Sequence, residues 1–257
     1  MKKSVSTLLI LILLSAIAFT SVPYISAQQY EVSMLWSSPM GVNDVAVSKD
    51  GNYIAAVNDT GIYYFAYNDP NPIWWFIPPG GTDFLSVAIS NDGEYVVGGI
   101  STGYLIYYNN TIDTNRREGE QDLDDYTWFS VNLLGPIQRR TLDMSDNGEY
   151  VVVGGTGTDV YYFAGCTARS DSGQSWTWWH RLYAWDVLAV DMSPDGKYVA
   201  AGGENITKGY PGFVVFYKDA DQLSGLDPDP KWDAWSRINA IIRDIAVSDD
   251  GYSVAAV

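Results

Sequence analysis

Five aspartates that lie next to, or close to, a glycine are the first residues whose type and spacing suggest chemistry. Asp50, Asp92, Asp146, Asp195 and Asp250 each fall within a Ser-x-Asp/Asn-Gly tetrapeptide. Calcium loops also place aspartate before glycine, but they need several converging oxygen ligands and a later glutamate. None of the five segments has that spacing. The tetrapeptides therefore predict hairpin turns, and no metal site.

Histidine chemistry is restricted to one residue, His180, which lies in a tryptophan-rich run. One histidine in that setting argues against a Ser-His-Asp triad and against histidine metal sites. The sequence also lacks a Gly-x-Ser-x-Gly elbow and a phosphate loop. A glycosidase built on a carboxylate pair remains open. A channel-facing acidic pair with a strongly perturbed pKa would indicate that enzyme, whereas paired or solvated charges would indicate a binding module.

The tetrapeptides belong to a thirteen-residue pattern that recurs along the chain. The copies are VAVSKDGNYIAAV from Val45, VAISNDGEYVVGG from Val87, LDMSDNGEYVVVG from Leu142, VDMSPDGKYVAAG from Val190 and IAVSDDGYSVAAV from Ile245. Their glycines are 42, 55, 48 and 55 residues apart. Each copy has two β-branched and aromatic runs joined by a turn, and this arrangement predicts a β-hairpin. A period of this length indicates a propeller or a solenoid.

Two further runs follow each of the first four hairpins. The third runs are IYYFAY, YLIYY, VYYF and FVVFY, and the fourth are the tryptophan-rich IWWFI, YTWFSV, WTWWH and KWDAWS. Four antiparallel strands in each repeat predict the blade of a β-propeller. The runs are apolar on both faces, as expected for sheets that stack face to face. The fold class is therefore all-β, with four full blades and a partial fifth.

The repeat unit resembles the WD-repeat and its relatives, whose inner hairpin carries a similar Ser-Pro-Asp-Gly turn. Only Ser193–Gly196 matches that turn in full. The closing Trp-Asp pair of the family is absent, and Tyr64, Tyr107, Tyr162 and Phe216 stand near its place. The chain is thus similar to divergent WD-like propellers on secreted archaeal and bacterial surface proteins. This resemblance is specific for the fold and implies almost nothing about activity.

The first 27 residues predict a secretory signal peptide, with Lys2 and Lys3 before an apolar core and Ile25-Ser26-Ala27 as the cleavage site. An uncleaved anchor is the alternative. Residues 28–257 are expected to form the propeller, with 28–41 as the fourth strand of the closing blade and blades starting near 42, 84, 141, 187 and 242. The fifth blade lacks its third strand, so we expect a fragment of a ring of about seven blades.

In a propeller, the loops from strand four to strand one and from strand two to strand three share the face around the channel mouth. The candidate ligand-binding residues on that face are Asp44, Asp83, Arg139, Arg140, Asp186, Arg243 and Asp244. Asp143 and Asp191 lie in first strands, where they can face the channel. These charges either pair with one another or form a polar mouth that binds a ligand or peptide.

The composition restricts the classes of molecule that the protein can bind. The net charge is −16, and removal of the two lysines of the leader makes it −18, so nucleic acid is excluded as a partner. Asn58, Asn109 and Asn205 begin glycosylation sequons. Fourth-strand tryptophans predict packing between blades or a rim that binds glycans or proteins. The single cysteine, Cys166, excludes a disulfide within the chain and predicts a partly buried free thiol.

Together these features predict an exported, non-catalytic binding or scaffold module, secreted or at the cell surface, with no cofactor and no membrane span beyond the leader. A protein or glycan partner is expected at the channel mouth or the tryptophan-rich rim. The alternatives are a secreted glycan hydrolase and a purely structural envelope subunit.

Overall fold

The computed structural model describes residues 34–78, 81–109, 111–112, 128–130, 133, 135–155, 159–182, 185–205, 212–233 and 240–257. The predicted signal peptide and residues 28–33 of segment 28–41 lie outside these residues. The chain divides into two units, Met1–Leu35 and Trp36–Val257, and all strands belong to the second. No helix in the described ranges has the length and hydropathy needed to cross a membrane.

Two antiparallel sheets form the first part of the second unit, and we call each sheet a blade. The first blade contains β1 (Asp44–Val47), β2 (Tyr53–Val57), β3 (Ile62–Ala66) and β4 (Pro72–Phe76) in sequence order. The second contains β5 (Phe84–Ile89), β6 (Tyr95–Ile100), β7 (Leu105–Asn109) and β8 (Trp128–Ser130). Neighbouring strands in both blades are joined by antiparallel ladders, as the hairpin pattern predicts.

The remaining strands form two more full blades and a hairpin. The third blade's chain runs through β9 (Ile137–Met144), β10 (Tyr150–Gly155), β11 (Asp159–Ala164), β12 (Asp171–Gln174) and β13 (Trp178–Arg181). The fourth runs through β14 (Trp185–Met192), β15 (Tyr198–Asn205), β16 (Phe213–Lys218), β17 (Gly225–Leu226) and β18 (Trp232–Asp233). The fifth is the hairpin of β19 (Ile245–Val247) and β20 (Val254–Ala256). These described strands form no closed ring, and the expected ring size stays a prediction.

Two strands leave their own blade and extend the preceding one. β12 pairs in parallel with β8 at the outer edge of the second blade, and β17 pairs in parallel with β13 of the third. Both lie between the third and fourth strands of their own repeat. Each therefore covers a sheet edge that would otherwise expose unpaired backbone groups.

The core consists of four apolar clusters, one between each pair of consecutive blades. Central strands such as β6 and β10 are buried on both faces after their first residue. This burial explains why their sequences are apolar throughout and do not alternate.

A repeated tryptophan contact joins the outer strands of neighbouring blades. The indole nitrogens of Trp74, Trp128 and Trp178 donate to the carbonyls of Thr111, Cys166 and Ala220, at 3.0, 3.0 and 2.9 Å. Each acceptor follows the third strand of the next blade. Trp36 makes the same bond, to the carbonyl of Tyr67 at 2.7 Å after β3. The described residues 34–42 contain no strand, but Trp36 occupies the position of a fourth-strand tryptophan relative to the first blade.

A second repeated contact fixes the turns. The hydroxyls of Tyr64, Tyr107 and Tyr162 donate to the carbonyls of Gly93, Gly148 and Gly196 in the turn of the next blade. Backbone bonds link the same turns in series, from Lys49 to Asn91, from Asn91 to Asp146 and from Asp146 to Pro194. The series ends there because proline has no N–H to donate. The turns thus join blades as well as reversing the chain.

Candidate functional site

The aspartate or asparagine directly before each turn glycine accepts hydrogen bonds within its own turn. In the first blade, the Asp50 carboxylate accepts from the Ser48 hydroxyl at 2.6 Å and from the Asn52 amide at 3.0 Å. The same pattern recurs in every blade, with Asn147 as the acceptor in the third. These hydrogen bonds hold the pKa of Asp50 and Asp250 below the ordinary value. Within the described residues, no cluster of side chains could hold a metal ion.

Carboxylates of the first strands reach across to the next blade. Asp44 accepts from the Ser86 hydroxyl at 2.9 Å and from the Val87 amide at 3.1 Å. Asp143 accepts from the Met192 amide at 2.8 Å, and Asp191 accepts from the Val247 amide at 2.6 Å. Asp44, predicted as a ligand-binding residue, therefore holds the first and second blades together.

Asp143 and Asp191 form a coupled pair. Burial is the largest cause of the raised pKa of both carboxyl groups. Asp191 raises the pKa of Asp143 further by charge repulsion. One proton shared between the two groups relieves that repulsion. The pair therefore meets the pKa criterion for the enzymatic alternative, although the backbone bonds of both residues give it a structural role as well.

The pair predicts a pH dependence of stability with a definite sign. A carboxyl whose folded pKa is raised binds its proton more tightly in the folded state, so its stabilisation is present at low pH. That stabilisation is lost as the pH rises above the ordinary value of 3.8. Asp143→Asn keeps a side-chain oxygen that can accept from the Met192 amide and removes the titration of residue 143. We expect the free energy of unfolding of the variant, measured in urea, to rise relative to that of the wild type by about 1–2 kcal/mol between about pH 5 and about pH 8.

Asp195→Asn is the matched control for that experiment. The hydrogen bonds of Asp195 to Ser193 and Lys197 outweigh its desolvation and lower its pKa, so its stabilisation is lost on acidification. Asp195→Asn should therefore change the pH dependence of the free energy of unfolding in the direction opposite to that of Asp143→Asn. If the free energies of unfolding of the wild type and of Asp143→Asn change with pH in parallel, the pair carries no shared proton.

The predicted arginines lie on a bulge of the inner strand. β9 pairs through Leu142 with Val153 and through Ile137 with Gly155, so residues 138–141 bulge out opposite a single residue. Thr141 closes the bulge with hydrogen bonds to the backbone of Gln138. β5 and β14 each bulge by one residue at the same place. The longer bulge carries Arg139 and Arg140, and both side chains are exposed.

The two arginines differ in their contacts. Arg139 donates to the side-chain oxygen of Asn43 at 2.6 Å, which links the third blade to the first. Asn43 in turn donates to Asp59 at 2.8 Å, beside a cleft of about 340 Å³ lined by Val42 and Thr60 among others. Arg140 is exposed and has a left-handed backbone with φ 62°. Such a conformation is costly for a residue with a side chain and occurs preferentially at functional positions.

The other predicted mouth residues stay apart from this bulge. Asp83 is half-buried and its carbonyl accepts from the Ser101 amide. Asp186 faces Glu204 across the β14–β15 ladder, and burial followed by Glu204 raises its pKa. Arg243 and Asp244 are exposed, and their amides donate to the carbonyl of Val257.

The three sequon asparagines lie at the ends of strands, and their use stays a prediction. Asn58 is half-buried, and its side-chain oxygen accepts from the amide and hydroxyl of Thr60. Asn109 ends β7, and Thr111 beyond it is buried. Asn205 ends β15, and the rest of its sequon lies outside the described residues.

Aromatic residues divide between core and rim. Trp74, Trp128 and Trp178 are buried between blades. Trp75 is half-buried and, with Tyr63, Asp69, Asn71 and Pro72, lines a cleft of about 530 Å³ at the rim of the first blade. His180 forms a hydrogen bond of 2.6 Å with the Tyr217 hydroxyl. Cys166 is free and fully buried, not partly buried, and burial raises the pKa of its thiol.

Asp159 is a buried carboxylate that the sequence analysis did not single out. Its side chain is 1% exposed, and its Oδ1 atom has no hydrogen-bond partner. Tyr161 donates to Oδ2 at 3.0 Å, and the Arg181 Nε lies 3.7 Å from Oδ1. Burial raises the pKa of Asp159 to about 6. The available signal was an aspartate at the start of a third strand, where the other blades have Gly61, Tyr104 and Phe213.

The class of protein follows from these blades. The described chain is all-β, with several antiparallel sheets of a kind consistent with a β-propeller. The family model described as "WD domain, G-beta repeat" matches residues 179–207, from β13 to just beyond β15. That match and the antiparallel sheets fit a WD-repeat-like β-propeller. No curated protein matches the chain.

Proposed function

We propose that this protein is an exported, non-catalytic binding module that recognises a protein partner at the channel mouth. The observation that carries the proposal is the arginine bulge of β9. Arg139 and Arg140 are held outward by a closed backbone loop, and Arg140 keeps a costly conformation there. WD40 domains generally mediate protein interactions, which supports a protein partner.

The distribution of carboxylates supports a non-catalytic role. The turn carboxylates are occupied by their own hairpins, and Asp44 is occupied by the neighbouring blade. A general acid or base must be free to exchange a proton with a substrate. None of these groups is placed for that exchange. The predicted leader and the sequons support a secreted or cell-surface location, of the archaeal or bacterial surface type.

A glycan hydrolase is the second candidate, because the Asp143–Asp191 pair has raised pKa values. Retaining glycosidases separate their carboxyl groups by about 5 Å and inverting ones by more. The Asp143 and Asp191 carboxylates instead accept backbone amides of the next blade, those of Met192 and Val247, and these bonds tie both groups to the fold. Asp143→Asn decides between the candidates, since an enzyme that depends on the pair would lose glycan hydrolysis, whereas partner binding should be unchanged.

The binding proposal is tested by partner capture from extracts of the source cells. Arg139→Glu/Arg140→Glu reverses two exposed charges at the mouth. Lys49→Glu/Lys218→Glu reverses two exposed charges at the level of the glycine turns, and serves as the matched control. We expect the mouth variant to lose captured partners at least tenfold and the control to keep them. Equal capture by both variants would contradict the proposal, and capture of only further copies of this chain would favour the structural subunit.

A further inference from the structure

The guanidinium groups of the β9 bulge differ from several other cations of the protein in what they contact. Ion pairs elsewhere include Lys49–Asp146, Arg181–Asp159 and Lys197–Asp195. Within the part of the chain that the structure describes, neither Arg139 nor Arg140 forms such a pair with a carboxylate. Both side chains are exposed. Their unused N–H donors are therefore available to an anionic group from outside the protein.

Arg139 is held in place by a neutral acceptor. Its Nη2 atom donates to the side-chain oxygen of Asn43 at 2.6 Å. The side-chain nitrogen of Asn43 donates in turn to Asp59 and to the Phe84 carbonyl, both at 2.8 Å. An exposed ion pair usually contributes little, partly because two long side chains must be ordered to form it. Here the fold already orders the guanidinium, so an incoming anion loses less free energy to that ordering.

A cleft adjoins this guanidinium, because Asn43 belongs both to the wall of the cleft and to the bond with Arg139. The cleft has a volume of about 340 Å³ and is lined by Gly41, Val42, Asn43, Asn58, Asp59 and Thr60. That volume is in the range of small-ligand sites, so it has room for a residue that neighbours an anionic group in an extended segment. The Asp59 carboxylate repels a second acid there and favours a neutral or basic residue.

We propose that Arg139 binds a carboxylate presented by the protein partner, with Arg140 supplying a second positive charge and the Asn43 cleft taking the residue next to that carboxylate. The inference rests on the proposed function and names the chemistry that the bulge recognises. A guanidinium fork matches a carboxylate through two parallel N–H···O bonds. The carboxylate belongs either to an aspartate or glutamate side chain or to a chain end, since both present the same planar group. The recognised segment is therefore acidic at the arginines and neutral or basic at Asp59.

The test is an NMR titration of the isotope-labelled full chain with acetyl-Gly-Glu-Gly-amide at constant ionic strength. We expect saturable shifts at the amides of Asn43, Arg139 and Arg140, and binding of the glutamine analogue that is weaker by about fivefold. Arg139→Gln/Arg140→Gln should remove the difference between the two peptides, and the control Lys218→Gln, which removes an exposed charge elsewhere, should keep it. Acetyl-Gly-Gly-Gly with a free terminal carboxylate separates the sources. Binding as tight as that of the glutamate peptide assigns the carboxylate to a chain end, and weaker binding assigns it to a side chain.

Three results would overturn the inference. They are equal binding of the glutamate and glutamine peptides by the wild type, the lack of saturable shifts with the glutamate peptide, and equal shifts with sodium acetate at the same concentrations, which would show a site for a free anion only. The comparisons on the wild type remain decisive if the double variant fails to fold. Partner capture by Arg139→Glu/Arg140→Glu tests the proposed function separately. Loss of capture together with equal binding of the two peptides would keep the protein partner and reject the carboxylate.

Discussion

Replacing Trp178 with alanine is expected to lower the free energy of unfolding by about 3–5 kcal/mol, the range for large aromatic truncations in a core. Trp178 is fully buried. Its ring stacks on Tyr162 at 5.1 Å within the third blade and packs on Tyr217 at 4.8 Å in the fourth. Its indole nitrogen donates to the Ala220 carbonyl at 2.9 Å. Alanine removes all three contacts between neighbouring strands and blades, and it leaves a cavity.

Urea unfolding monitored by circular dichroism measures this loss. Trp178→Phe is the matched control, because it keeps an aromatic ring between the tyrosines and removes the indole donor. The control should cost less than half as much as alanine. If the alanine and phenylalanine variants lose the same free energy of unfolding, the hydrogen bond to Ala220 would supply most of the stabilisation and the stacking would supply little.

Gly196→Ala is expected to destabilise the protein by about 2–4 kcal/mol, from a backbone and a packing contribution. Gly196 has φ +74°, which costs a residue with a side chain roughly 1–2 kcal/mol. A β-carbon at this position would lie 2.4 Å from Cδ2 of Tyr150 in the preceding blade. The ring must then move, and overpacking of this kind costs about 1–3 kcal/mol.

The first blade offers a control that separates the two contributions. Gly51 has the same φ of +74°, but nothing lies within 4 Å of a β-carbon there. Gly51→Ala should therefore cost only the backbone contribution. In a Tyr150→Ala background, the cost of Gly196→Ala should fall to the Gly51 value. Equal costs for both glycines in the wild-type background would show that the turn does not pack tightly against the tyrosine.

Local features of the fold were predictable because their causes are local. The Ser-x-Asp-Gly segments predict hairpins, and the structure forms a turn at each one with the same serine and aspartate or asparagine hydrogen bonds. Apolar runs on both faces predict stacked sheets for the same reason. The position of Asp143 and Asp191 in the first strands also follows from the repeat.

Contacts between blades were not predictable, since their partners are distant in sequence. Nothing near Gly196 indicates that its carbonyl accepts from Tyr162, 34 residues earlier. The parallel pairing of β12 with β8 depends on a loop crossing to another blade. The sequence analysis placed Asp44 among the ligand-binding residues because its two donors on the next blade, the Ser86 hydroxyl and the Val87 amide, become neighbours only in the folded sheet stack.

Part of the candidate site could be predicted from the sequence, and part could not. Arg139 and Arg140 were placed at the mouth by loop order alone, but the four-residue bulge that projects them depends on the register of β9 with β10. The burial of Asp159 likewise depends on tertiary packing and not on local sequence. A carboxylate at a strand end predicts a solvated charge, and only tertiary packing changes that expectation.

Hydrogen–deuterium exchange of the intact protein, with and without its captured partner, tests the binding face most directly. The account predicts slower exchange in peptides that cover 137–144, which contain the arginine bulge. Peptides that cover the glycine turns, such as 48–53, should exchange at the same rate in both samples. Protection of the turns with no change at 137–144 would place the partner on the opposite face and contradict the account.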